Sequence, residues 1–155
     1  MIDTTSRDVP QHDAVKEELE LYKAELRPLI RDANLYHISE RPDGVHWDAV
    51  EYFDPQTRCG IVYVFHGSIE SEGEHKFLLP DLHPASRFRL RFHDHSAPGL
   101  IARGDELMKT GFTVRLPIAN SSDIIFLQDL SAETSSKGSA SMNTDNFLPI
   151  GPDKR

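Results

Sequence analysis

Three clusters in this chain carry residue types that can do chemistry, and His93-Asp94-His95 is the most suggestive. Two imidazoles around a carboxylate are metal-ligand types. On a strand, however, positions i and i+2 share a face while i+1 points away. A site would need a third ligand from elsewhere, and the sequence identifies none. The run reads as a polar loop after the Arg87–Phe92 segment, broken by Pro98-Gly99, and no metal is expected. Glu70, Glu72 and Glu74, with Asp81 further on, form the second cluster. Facing carboxylates about 5–10 Å apart run glycoside hydrolysis. Here they alternate with Ser71 and Gly73, the pattern of a solvated acidic turn. The third, Ser121-Ser122-Asp123, lacks the Gly-x-Ser-x-Gly setting of a nucleophile elbow and reads as a turn with Asn120.

Single residues add little chemistry. Cys59 is the one cysteine, which excludes an intrachain disulfide and a Cys-based zinc cluster; it reads as a packing residue. Gly104 and Gly111 lack the Lys-Ser/Thr of a phosphate loop and read as turn glycines. No cofactor motif is present. Trp47, Tyr36, Tyr52 and Tyr63 have aromatic faces on which a pyranose can stack, with Trp47 the first candidate for carbohydrate binding; core packing is the commoner fate of such residues.

The elements that would position these residues change period along the chain. Residues 1–11 are polar and read as a flexible lead-in. His12 to Arg31 reads as a helix with Asp13 as N-cap and an apolar stripe of Val15, Leu19, Tyr22, Leu26, Leu29 and Ile30. Early glutamates and late basic residues suit the helix dipole. Pro28 removes a backbone donor and clashes with the preceding turn, so a kink or an end is expected near Arg27. From Asn34 the period is two. Strands are expected at 35–38, 47–53, 60–65, 75–79, 87–92, 112–116 and 123–130. Gly60–Phe65 is apolar on both faces and should be central; in Arg87–Phe92 the phenylalanines and Leu90 oppose three arginines. The segment between Gly104 and Gly111 reads as one helical turn. Short strands without intervening helices indicate a mainly β fold, an antiparallel β-sandwich preceded by one amphipathic α-helix. The units are thus 1–11, the helix 12–32, the sandwich 33–130, and a Ser-rich tail 131–155 too poor in apolar residues to order itself.

Length and charge narrow the function classes. A chain of 155 residues suits one domain that buries its own core without disulfides. The net charge of −8 argues against nucleic acid, whose binding rests on basic side chains neutralising phosphates. No stretch nears the ~20 apolar residues of a membrane span. Met1–Pro10 has no apolar signal core, so the expected compartment is the cytoplasm.

Several segments, in order, carry a family resemblance. Tyr22–Ile30 followed by Leu35-Tyr36-His37-Ile38 resembles the junction between the last barrel helix and the C-terminal domain of family 36 glycoside hydrolases, the α-galactosidases or melibiases. Arg41-Pro42-Asp43-Gly44 with Trp47, the strand Ile61–Phe65, and Leu82, Pro84 and Phe88 are similar to the stretches that follow there. Gly104-x-Glu106-Leu107-Met108-x-x-Gly111-x-x-Val114-x-Leu116-Pro117, then Ser121-Ser122, resembles the closing motif. The resemblance covers Val15 to Leu130. It implies a non-catalytic β-domain that supports a (β/α)8 barrel in cis or in trans, as a fragment or a subunit of such an enzyme. The catalytic aspartates of that family lie on barrel strands upstream, and no Asp here matches them, so no catalytic residue is carried over. The helix stripe would then face the barrel, or mediate homo-oligomer contacts. The alternative is a stand-alone carbohydrate-binding module.

Overall fold

The computed structural model describes residues 9–68 and 72–131. The proposed tail beyond Ser131, most of the lead-in, and Glu70 and Ser71 lie outside the described residues.

Helical structure runs without a break from Val9 to Arg31, as α1 (Val9–Leu21), a π-helical turn (Tyr22–Leu26) and α2 (Arg27–Arg31). Two expectations need correction. The helix starts before Asp13, which therefore sits inside α1 and is not its N-cap. Of the kink or end expected near Arg27, the end does not occur, and the helix continues to Arg31 past a widened turn. The proline ring would strike the carbonyl four residues back, that of Ala24, and Ala24 lies within the widened π turn. There the Arg27 N–H donates to Tyr22, five residues back, and Pro28 follows directly, so the widened turn makes room for its ring.

Eight strands follow: β1 (Asn34–His37), β2 (Asp48–Asp54), β3 (Cys59–Phe65), β4 (Glu74–Phe77), β5 (Arg87–Phe92), β6 (Leu100–Arg103), β7 (Phe112–Arg115) and β8 (Ser122–Asp129), with the short helix α3 (Gly104–Lys109) between β6 and β7. Six form an antiparallel sheet in the order β1-β2-β3-β8-β5-β6, and β4 pairs with β7 in a ribbon. Strand β6 went unread in the sequence. It is an edge strand that turns only Ala102 inward and leaves Leu100 and Ile101 exposed, so its apolar residues do not alternate.

Period-two side chains divide the large sheet into two faces. Val62 and Val64 of β3, Phe88, Leu90 and Phe92 of β5, and Ile125 and Leu127 of β8 meet Phe77, Phe112 and Val114 of the ribbon, closing the sandwich core. Ile61 and Phe126 face the other way and receive Leu26 of the π turn, with Leu29, Ile30, Tyr52 and Tyr63 around them. Strand β3 is central and apolar on both faces, as its composition requires. The arginines of β5 point outward as expected. Arg91 lies 4.0 Å over the Phe126 ring and donates to Glu25 of the helix at 2.8 Å, fastening the helix to the sheet.

Helix docking is partial. Leu26 is buried, whereas Val15, Leu19 and Tyr22 stand 59%, 49% and 47% exposed. The apolar stripe is therefore covered only at its C-terminal end.

Candidate functional site

A cleft of about 730 Å3 opens where the β2–β3 hairpin meets the segment 81–86. The hairpin is set by Asp54, whose carboxylate accepts from the Gln56 N–H and the Thr57 hydroxyl; those bonds hold it below the usual carboxylate range. Arg58 closes the turn in the left-handed region, at φ 57°, and its amide donates to the Asp54 carbonyl. The unusual backbone aims the guanidinium inward, where it pairs with buried Asp129 and donates to the Ser86 hydroxyl. Ser86 also contacts His83 Nδ1 at 3.3 Å. The cleft's other wall is seated by α3. The Gly104 N–H donates to Ser86 and the Asp105 N–H to Pro84. A Cβ on Gly104 would fall 2.1 Å from the His83 carbonyl, so this glycine serves a close backbone approach, whereas Gly111, at φ 75°, makes the turn expected of it.

Asp81, also left-handed at φ 57°, joins this cleft to a buried group. Its carboxylate accepts from the Tyr36 hydroxyl at 2.7 Å, which raises the tyrosine's pKa. Across the β1–β2 register, Tyr36 opposes Glu51. Glu51 is wholly buried on the core face of β2, and neither carboxyl oxygen has a hydrogen-bond partner among the described residues. Burial, reinforced by the nearby Asp81 charge, pushes its pKa up to about 8. Such a group is protonated at neutral pH, the state a general acid needs. It nonetheless has no route to a substrate, because it is sealed in the core and does not line the cleft. Asp81 is engaged by Tyr36, and the Arg58 guanidinium by Asp129. The cleft thus holds a built polar network in which the Ser86–His83 contact is the one described hydroxyl–imidazole pair.

The residues singled out in the sequence fall elsewhere. Trp47 is buried, 6% exposed, with His66 and His75 stacked against its indole at 4.5 and 5.5 Å and its Nε1–H donated to the Glu72 carbonyl. Burial gives it a packing role in place of the open face that sugar stacking requires. Tyr52 and Tyr63 meet edge to face beneath the helix. The loop His93-Asp94-His95 is organised by Asp123, whose buried carboxylate accepts from the backbone N–H groups of Asp94, Ser96 and Ile124. His93 packs edge-on against Phe126, 3.8 Å from Glu18. No group of three metal-ligand side chains comes together among the described residues. Glu74 pairs with Arg115, apart from Asp81. Cys59 opens β3, its thiol toward the Thr57 carbonyl.

Sequence reading missed Glu51, Arg58, Ser86 and Asp129. Only Glu51 left a trace: an acidic residue at the inward phase of Ala49-x-Glu51-x-Phe53. The other three are joined by turns that the sequence does not specify.

Among solved structures, the chain is similar to the galactosidase domain of an α-galactosidase–sucrose kinase, with a TM-score of 0.65 and 15% identity over 79% of this chain and 16% of that one. At this identity the likeness shows the fold alone, and the chain spans under a fifth of that protein's domain chain. No protein-family profile and no curated protein matches the chain.

Proposed function

We propose that this chain is a non-catalytic β-domain that packs against an α-galactosidase catalytic barrel, either within a longer polypeptide or as a separate subunit. The observation that carries this reading is the half-covered helix. Leu26 is docked on the sheet, while Val15, Leu19 and Tyr22 leave an apolar stripe exposed beside it. A stripe of this kind marks an interaction surface. The likeness in fold to part of a galactosidase domain supports a barrel of that kind as the partner. A supporting role also agrees with the burial of Glu51, whose raised pKa would suit a general acid but which is sealed from solvent and apart from the cleft.

An immunoblot of source cells with antibody to this chain tests the reading. The expected result is a denatured band several-fold above 17.5 kDa, or native co-migration with a barrel polypeptide that cleaves an aryl α-galactoside. A 17.5 kDa species that migrates alone would sink the proposal.

A further inference from the structure

A second cleft, of about 550 Å3, lies at the opposite end of β3 from the Arg58 turn and has a different character. Its floor is a row across three strands. Phe65 of β3 opposes Asp48 of β2 on one side and Ser122 of β8 on the other. Directly opposed residues share a sheet face. Phe65 belongs to neither core cluster and is 45% exposed, so an aromatic ring meets solvent between a carboxylate and a hydroxyl.

The rim is rigid. The His66 N–H donates to the Ser121 carbonyl at 2.9 Å, the Asn120 N–H returns to the His66 carbonyl at 3.0 Å, and the Ser68 N–H donates to Gly44 at 3.2 Å. Asp43 accepts from the Val45 and His46 amides and pairs with the His46 ring at 2.6 Å, fixing the approach to Asp48. Asn120 holds the left-handed conformation, φ 59°, that turns its loop into the rim. Trp47, buried below, stacks on His66. Three loops are therefore hydrogen-bonded to one another around the Phe65 ring, an arrangement that lowers the ordering cost of binding.

The lining chemistry selects the ligand class. No Lys or Arg lines the cleft among the described residues, and Asp48 does, which disfavours phosphates and carboxylates. What fits is a neutral molecule with one apolar face and several hydroxyls at its edge. We propose that this cleft binds a pyranose unit of a neutral saccharide, its C–H face on Phe65 and its hydroxyls toward Asp48, His46, Asn120 and Ser122. The volume suits one or two sugar rings. This inference does not depend on a barrel partner.

The test is an amide NMR titration of the full 155-residue chain with methyl α-galactopyranoside, maltotriose and cellotriose, and with glucitol as an open-chain polyol that has no ring face. At least one pyranoside should give saturable shifts centred on Phe65, Asn120 and Ser122, while glucitol gives none. Phe65→Ala should weaken that binding roughly tenfold. Asp48→Asn, which keeps the side-chain shape, should weaken it several-fold while leaving the spectrum dispersed. No saturable shift with any pyranoside would overturn the proposal. So would equal shifts with glucitol, or undiminished binding by folded Phe65→Ala.

Discussion

Glu51 holds its proton because ionising it would place a charge in the sandwich core with Asp81 nearby. Its pKa is about 4.5 when free and about 8 in the fold. Below the first value both states are protonated and Glu51 imposes no pH-dependent cost. Between the two only the folded chain keeps the proton, so stability falls as pH rises, and above about 8 the full cost is present. Replacing it by an apolar residue of similar size should remove that slope. Glu51→Leu is expected to be on the order of 3–5 kcal/mol less penalised at pH 9 than the parent, relative to their difference at pH 4.5. Thermal unfolding across that range checks this, and parallel curves for the two proteins would refute it. Arg58 and Asp129 make the converse case. Asp129 is buried while Arg58 is 32% exposed, so Asp129→Ala strands a partly solvated charge and should cost about 1–3 kcal/mol in denaturant unfolding. A loss under about 1 kcal/mol would mean that Arg58 relaxes into solvent.

Within the helix, the same apolar stripe has two fates. Leu26 contacts Ile61 and Phe126, and Leu26→Ala should destabilise by about 2–4 kcal/mol. Leu19 is exposed, and Leu19→Ala should stay within about 0.5 kcal/mol. Equal effects would mean that the stripe is covered throughout its length in the isolated chain. If the free part is an interaction surface, the isolated chain should self-associate with rising concentration. The combined change Val15→Ser, Leu19→Ser and Tyr22→Ser should abolish this in sedimentation equilibrium without altering the fold. Heptad-like spacing made the stripe legible in the sequence, but spacing does not say what covers it. The π turn was illegible for a related reason. Pro28 announces a conflict with Ala24, yet a kink, an end or a widened turn each resolves it, and the docking of Leu26 on the sheet favours the solution that keeps the helix running.

As a whole the molecule is a three-layer stack of helix, six-stranded sheet and two-stranded ribbon, and in the described residues no helix is long and apolar enough to cross a membrane. On the supporting-domain reading, the purified chain should leave an aryl α-galactoside uncleaved; turnover at a rate proportional to chain concentration, and absent from a mock purification, would contradict it. The sequence by itself determined the fold class and most of the strands. Alternation and turn residues are local signals, written within a few positions: Arg87–Phe92 shows its two faces directly, and Gly60–Phe65 shows burial on both. It left β6 hidden, because an edge strand with one inward residue carries no alternation. Only the tertiary structure decided the sites. Glu51 and Asp81 are thirty positions apart, as are Asp94 and Asp123 to within one, while Arg58 and Asp129 are further apart still. Phe65 became a candidate sugar platform, and Trp47 a buried support, through which face each presents once three distant strands and their loops are joined. Exposure and proximity are set by long-range packing, which no local pattern encodes.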